Sequence, residues 1–173
     1  PMHPRNQGIT LLNRAPRNAD GLVEYRSDFV LLRPADAARG IAAMPVPPMR
    51  VNWEHLGTVT LINDAYNSNP GSARAAIELL GHAGKGRQRV AVLATMLELG
   101  PTTPRLHDDV ARDALATGIE LVAGIGEFAA ALRRIAPGDP RVLCADDVDS
   151  LWSALSSRLD TDAVILLKGS RGM

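Results

Sequence analysis

Apolar positions over residues 50–173 fall into two kinds of segment that alternate along the chain. Predicted strands, several of them continuously apolar, occupy 59–62, 89–94, 119–123, 141–144 and 163–167. Between them, apolar residues recur at helical spacing over 70–81, 104–116 and 127–136, and again in a fourth helix that we expect Asp146 to cap. Continuous apolar strands are typical of parallel sheets that are covered on both faces. The alternation therefore predicts an α/β fold with a doubly wound, mostly parallel, Rossmann-like sheet and helices on both faces.

Three further segments extend this pattern. Residues 50–55 and 58–62 predict a hairpin closed near Gly57, and residues 34–44 predict a short helix. The fourth helix is predicted to bury four apolar residues on one face: Val148, Leu151, Trp152 and Leu155.

A proline cluster marks the predicted domain boundary. Pro45, Pro47 and Pro48 separate residues 1–48 from a domain over 49–173. The sequence stops a few residues after the last predicted strand, where a doubly wound domain usually adds a covering helix. We therefore expect the second domain to lack its last helix.

Composition narrows the possible functions. A hydrophobic share of 46% is enough for a packed core, and 19 basic residues balance 19 acidic ones. The balance gives no electrostatic reason to expect nucleic acid or an anionic membrane as a partner. Cys144 is the single cysteine, which excludes an internal disulfide, and we expect a buried, inert thiol. No apolar run reaches the roughly 18 residues that span a bilayer, so we expect a cytoplasmic protein.

Polar residues crowd the turn where the strand over 59–62 leads to a helix. Asp64, Tyr66, Asn67 and Asn69 precede Pro70, a favoured first helical residue. Strand ends that face helix starts are where open α/β sheets bind ligands. The two amides suit a base or a ribose, Asp64 suits a ribose hydroxyl or a metal, and Tyr66 suits stacking on a ring. Helix capping, turn formation and cover of the helix end explain the same residues equally well.

Cationic residues near both ends of the domain are the second candidate group. Arg50 suits a phosphate, and Lys168, Ser170 and Arg171 suit a carboxylate or phosphate at the end of the last strand. Exposed surface positions are the alternative in each case. His107 borders the inward face of its helix and has no metal-ligating neighbour at suitable spacing, so we expect a structural role. No catalytic residue and no metal ligand is predicted within the chain.

Three common motifs of α/β enzymes are missing from the sequence. Residues 81–86 are the nearest match to a P-loop, but they follow a predicted helix, whereas a P-loop follows a strand. Neither the dinucleotide-binding glycine motif nor the Gly-x-Ser-x-Gly elbow occurs.

Four segments, taken in order, resemble the C-terminal domain of the Mur ligases, most closely the MurF type. They are Ile-Asn-Asp-Ala-Tyr-Asn-Ser-Asn-Pro at 62–70, Met-Leu-Glu-Leu-Gly at 96–100, His107, and Leu-Lys-Gly-Ser-Arg-Gly-Met at 167–173. Residues 47–50 resemble the linker into that domain, and the segment before them resembles the end of the central domain. Residues 1–48 are therefore expected to be a remnant of that preceding region.

The resemblance implies a three-domain, ATP-dependent ligase of peptidoglycan precursor synthesis. Such an enzyme joins D-Ala-D-Ala to UDP-MurNAc-tripeptide through an acyl phosphate, with ATP and magnesium bound mainly by the central domain. Arg50, Asp64, Tyr66, Asn67 and Asn69 would then contact the nucleotide. Lys168, Ser170 and Arg171 would lie near the dipeptide. We expect a monomer, and we expect these 173 residues alone to be inactive.

Three departures from the family pattern keep two alternatives open. Gly71 stands where an acidic residue is usual, Ala94 and Thr95 stand where Gly-Asp is usual, and Met49 replaces a glycine. One alternative is a related ligase with another amino substrate, such as a folylpolyglutamate or cyanophycin synthetase. The other is a non-catalytic module that binds a nucleotide or a partner.

Overall fold

The computed structural model describes residues 39–40, 43 and 47–171. The chain divides into two compact units, residues 1–45 and 46–173, and the sheet lies in the second. The helix predicted over 34–44 falls mostly outside the described residues, although Arg39 and Gly40 are helical. No helix in the part of the chain that the structure describes is both long and apolar enough to cross a membrane.

Strands and helices alternate along the second unit as predicted. The strands are β1 (Asn52–Leu56), β2 (Val59–Asp64), β3 (Arg89–Leu93), β4 (Leu121–Ile125), β5 (Val142–Ala145) and β6 (Val164–Lys168). The helices are α1 (Pro70–Ala83), α2 (Thr103–Ala116, after a 3-10 turn at Gly100–Thr102), α3 (Glu127–Ile135) and α4 (Val148–Ser156). Asn69 caps α1 in a reciprocal arrangement: its side chain accepts from Ser72 N (2.9 Å), and its own N–H donates to Ser72 Oγ (3.1 Å).

The six strands form one sheet in the order β1-β2-β6-β3-β4-β5. β1 pairs antiparallel with β2, and the other neighbouring strands are parallel. The last strand therefore returns to lie between β2 and β3. Its register with β2 sets Lys168 beside Asp64, so the carboxyl ends of these two strands open onto the same place.

Helices cover both faces of the sheet, but unequally. α1, α2 and α3 bury the main aliphatic core against residues such as Ile62 and Leu166. On the other face, α4 places Leu151 and Leu155 on residues of β3, β4, β5 and β6. The strand residues alternate between the two clusters because successive side chains of a strand point to opposite faces.

Two predictions for the fourth helix are wrong. Asp147 caps α4, accepting from Ser150 N at 2.7 Å, whereas Asp146 pairs with Arg133 (2.9 Å). Val148 and Trp152 are 65% and 58% exposed. α4 lies alone on its side among the described helices, so it buries only the narrow strip that carries Leu151 and Leu155, and residues flanking that strip face solvent.

His107 is a buried structural residue, as predicted. Its Nε2 accepts from Met96 N (2.9 Å), which requires the proton on Nδ1, and Nδ1 donates to Thr103 O (2.7 Å). The ring meets Phe128 edge to face, with centroids 4.7 Å apart. Burial lowers the pKa of His107, and the Met96 bond is possible only for the neutral ring. The histidine thus holds α2 to the loop after β3.

The buried histidine predicts a loss of stability on acidification. His107 binds its proton at a pKa of about 6.5 in the unfolded state and at a lower pKa in the folded state. The stability that neutral His107 contributes is therefore fully present above the unfolded-state pKa, and it is lost as the pH falls toward the lower pKa of the folded state. We expect His107→Gln to lower the free energy of unfolding at pH 7.5 by about 1–3 kcal/mol and to flatten its decrease toward pH 5.5. Urea unfolding at both pH values measures this.

His82→Gln is the matched control, because His82 is exposed. It should keep the parent's stability and pH dependence. An unchanged pH dependence in His107→Gln would show that another group causes the effect.

Candidate functional site

A cleft of about 510 Å³ opens at the carboxyl ends of β2 and β6. Its polar rim comes from the turn after β2, the end of β6 and the linker before β1. Its apolar wall comes from one face of α1. The lining residues are Arg50, Val51, Asp64, Tyr66, Asn67, Asn69, Ser72, Ala75, Ala76, Leu79 and Lys168.

Lys168 lies beneath the polar rim, with its side chain 1% exposed. Its Nζ is 3.2 Å from Asp64 Oδ2, donates to Asp64 O at 3.2 Å, and donates to Asn67 O. The ammonium therefore joins the end of β6 to the turn that follows β2.

The two asparagines of the turn use their carboxamide oxygens within the protein. Asn67 Oδ1 accepts from Ser68 N (2.8 Å), and Asn69 Oδ1 accepts from Ser72 N (2.9 Å). Among the described residues, neither Nδ2 group has a protein acceptor, and both side chains are exposed beside the cleft. Each asparagine thus presents an N–H donor pair to a ligand.

Two guanidinium groups lie over the ring of Tyr66. Arg50 Cζ is 4.3 Å and Arg171 Cζ is 5.1 Å from the centre of its ring. Main-chain bonds hold this arrangement, since Tyr66 N donates to Met49 O (3.0 Å) and Arg171 N donates to Tyr66 O (3.1 Å). The stacking places two cations at the rim, where they favour an anionic ligand.

The linker enters the cleft in a strained conformation. Met49 and Val51 have φ values of 59° and 54°, a region costly for residues other than glycine. Asp64 Oδ1 accepts from Val51 N (3.2 Å), and Asn52 Oδ1 accepts from Arg50 N (2.9 Å). These bonds fix the side from which Arg50 reaches the cleft.

Ser170 ties a third loop to the site. It is 6% exposed; its Oγ accepts from Leu97 N (3.3 Å) and donates to Asn67 Oδ1 (3.4 Å). The loop after β3 is thereby fixed at two points, at Leu97 by Ser170 and at Met96 by His107. Its Glu98 has a φ of 63° and lies exposed, outside the residues that line the cleft.

The eight residues singled out in the sequence lie together. Arg50, Asp64, Tyr66, Asn67, Asn69 and Lys168 line the cleft, while Ser170 and Arg171 contact residues that line it. The wall of α1 was missed. Its residues Ser72, Ala76 and Leu79 recur at intervals of four and three, a helical face of small and apolar side chains that the sequence does contain.

Two of the positions that depart from the family pattern have structural roles. Thr95 Oγ1 accepts from Glu127 N (3.0 Å) and so caps α3, and Ala94 N donates to Lys168 O (2.8 Å). A Cβ placed on Gly169 would lie 2.9 Å from Ala94 Cβ, so these two segments meet closely.

The described residues offer little for a metal. They contain no group of three or more His, Cys, Asp or Glu side chains placed to hold a metal ion. Cys144 is half-buried, and burial raises the pKa of its thiol, so it remains protonated at neutral pH. The residues that line the cleft supply no carboxylate cluster for magnesium.

Comparison with known proteins identifies the family. Residues 49–171 match the family model described as the Mur ligase, glutamate ligase domain. The UDP-N-acetylmuramoyl-tripeptide--D-alanyl-D-alanine ligase of Treponema pallidum is 32% identical over 130 residues, which cover 73% of this chain and 28% of that protein. The chain therefore belongs to the Mur ligase family. In sequence and in fold it is similar to C-terminal domains of the MurF type.

Solved structures agree with that assignment. A crystal structure of MurF from Acinetobacter baumannii aligns with a TM-score of 0.67 at 25% identity, covering 81% of this chain and 31% of that one. The MurF ligase from Thermotoga maritima, solved in complex with ADP, aligns with a TM-score of 0.60 at 23% identity, over 75% of this chain and 29% of that one. The chain thus spans about a third or less of the length of these relatives.

The strained linker predicts a stabilising substitution. A non-glycine residue in the left-handed region costs about 1–2 kcal/mol, whereas glycine adds about 0.5–1 kcal/mol of backbone entropy loss. We expect Met49→Gly to raise the free energy of unfolding by up to about 1 kcal/mol, measured by urea denaturation. Glu54→Gly, at an exposed position of β1 with extended backbone, should lower it. Equal losses in the two variants would contradict the strain at Met49.

Proposed function

We propose that this chain is the nucleotide-closing domain of a cytoplasmic, ATP-dependent ligase that adds D-Ala-D-Ala to UDP-MurNAc-tripeptide in peptidoglycan precursor synthesis. The observation that carries the proposal is one cleft in which two amide donor groups, Arg50 and a tyrosine stacked with Arg50 and Arg171 come together. The names of the relatives supply the substrates. The cleft supplies the reason that a nucleotide suits this domain.

The cleft divides into a neutral part and a cationic part. Ala75, Ala76 and Leu79 offer a low apolar wall on which a flat base can lie, and the Nδ2 groups of Asn67 and Asn69 donate to base or ribose acceptors. Arg50 stands at the other side of the rim, where its guanidinium meets phosphate oxygens. The Lys168–Asp64 pair between them carries no net charge.

Arg50 contributes to the reaction by neutralising charge. The tripeptide carboxylate takes the γ-phosphoryl group of ATP, which gives an acyl phosphate and ADP. The dipeptide amine then attacks the acyl carbon, so that the amide bond forms and phosphate leaves. A cation fixed beside the phosphates stabilises the charge that develops during such a transfer. Arg171, exposed at the same rim, suits the carboxylate of the dipeptide, and its stacking on Tyr66 orients it.

The magnesium and the phosphate cradle must come from elsewhere in the complete enzyme. The sequence has no P-loop, and the described residues have no metal-binding cluster. Phosphoryl transfer needs both. We therefore expect the 173 residues alone to release no phosphate from ATP in the presence of both substrates, measured by a phosphate-release assay. Turnover by this chain alone would contradict the division of labour.

The assay of the full-length protein tests the proposed reaction. Phosphate release should require ATP, UDP-MurNAc-tripeptide and D-Ala-D-Ala together, and the product should contain the new amide bond. Release with a different amine in place of D-Ala-D-Ala would instead identify a related ligase. No release with any amine would favour the non-catalytic module.

Asn67→Asp tests the nucleotide contact in the same protein. The variant keeps the Oδ1 acceptor for Ser68 N and replaces only the Nδ2 donor. We expect the KM for ATP to rise roughly tenfold, because one hydrogen bond to the base or ribose is lost and a negative charge is added beside an anionic ligand. Asn63→Asp is the matched control. Asn63 pairs with Leu167, whose side chain packs on the α4 side of the sheet, so Asn63 lies on the face opposite to α1 and the cleft. Equal effects in the two variants would argue against a nucleotide at Asn67.

A further inference from the structure

Lysine is rare in this chain, and one of its two lysines is buried. Lys85 and Lys168 are the only lysines among the 19 basic residues. Lys85 is exposed, whereas the side chain of Lys168 is 1% exposed. An ammonium is a compact point charge with three donors, whereas a guanidinium is a wider planar fork, so the buried position of Lys168 suits the smaller group.

The ammonium of Lys168 is surrounded by three protein oxygens, two of which accept hydrogen bonds from it. An ammonium carries three N–H groups, and Nζ has three oxygens around it: Asp64 Oδ2, Asp64 O and Asn67 O. Because the side chain is 1% exposed and these oxygens surround Nζ, the ammonium has no open side for a substrate carboxylate or phosphate. A direct contact with substrate would first have to break one of these bonds and uncover the side chain.

The same ammonium acts on the linker through Asp64. One carboxylate oxygen of Asp64 pairs with Nζ, and the other accepts from Val51 N at 3.2 Å. The Asp64 side chain is 15% exposed, so the carboxylate depends on Lys168 for its neutralisation. Val51 follows Arg50, and its φ of 54° is held against steric strain.

We propose that Lys168 is a positioning residue that shapes the cleft from below and does not contact substrate. Its ammonium fixes the distance between the turn after β2 and the end of β6, and through Asp64 it holds the linker so that Arg50 stacks on Tyr66. Recognition of an anionic substrate group at this end of β6 then falls to Arg171. This inference deepens the proposed function, but the burial and the tether can be tested without ATP.

Lysine reactivity tests the burial in the native chain. Reductive methylation with ¹³C-formaldehyde, followed by mass spectrometry of the peptides, compares the two lysines in one sample. We expect Lys85 to be dimethylated and Lys168 to react at least about tenfold more slowly, with equal reactivity in denaturant. Equal rates in the folded chain would overturn the proposal, because a lysine free to bind substrate is also free to react.

Amide hydrogen exchange tests the tether. In Lys168→Met we expect the amides of Val51 and Tyr66 to exchange about tenfold faster, since the bonds that fix the linker are released. The amide of Val122 in β4, which donates to Arg141 O, should keep its exchange rate within about twofold. Lys85→Met should change none of the three. Uniform acceleration of all three amides would reveal general destabilisation and overturn the specific tether.

Kinetics of the full-length ligase separate positioning from direct contact. Lys168→Met should raise the KM for ATP more than the KM for D-Ala-D-Ala, whereas a lysine that contacts the dipeptide predicts the reverse order. Asp64→Asn should raise the KM for ATP similarly, and the double variant should be no worse than either single one. Additive effects would show that Lys168 acts independently of Asp64 and would overturn the proposal.

Discussion

The return of β6 to a place between β2 and β3 is the constraint on which the cleft depends. Parallel pairing in this register sets Lys168 beside Asp64, and the ammonium then has three oxygens within reach. Without that strand, the turn that carries the two asparagines would have no partner at its base. The cleft is therefore a property of the sheet order more than of any one loop.

A few polar contacts join three segments that are distant in sequence around the rim of the cleft. Asp64 links the linker to β6, Ser170 links the loop after β3 to Asn67, and His107 anchors that same loop from α2. The first two contacts each leave one group facing outward, the guanidinium of Arg50 and the amide of Asn67. The buried polar atoms hold the loops in place, and the exposed polar atoms remain available to a ligand.

The periodicity of the sequence was enough to predict the sheet and its four long crossovers, because continuous apolar strands and helical spacing are local signals. The shared position of Asp64 and Lys168 also followed, since carboxyl ends of parallel strands meet at one edge. The exposure of Val148 and Trp152 did not follow, because it depends on α4 having no neighbouring helix on its face among the described elements. The occupied donors of Lys168 depend on two main-chain oxygens, which no side-chain pattern reveals.

The separation of the two strands along the chain also sets the order in which the molecule can be made. Asp64 and Lys168 are 104 residues apart, and α1 packs on β6 as well as on β3, whereas α3 packs on β4 and β5, its neighbours in sequence. Contacts of long sequence separation close late in folding, because the loop entropy is lost before they contribute. A nascent chain can thus pack α3 on its sheet neighbours early, but α1 lacks part of its support, and the cleft is absent, until the final strand has emerged.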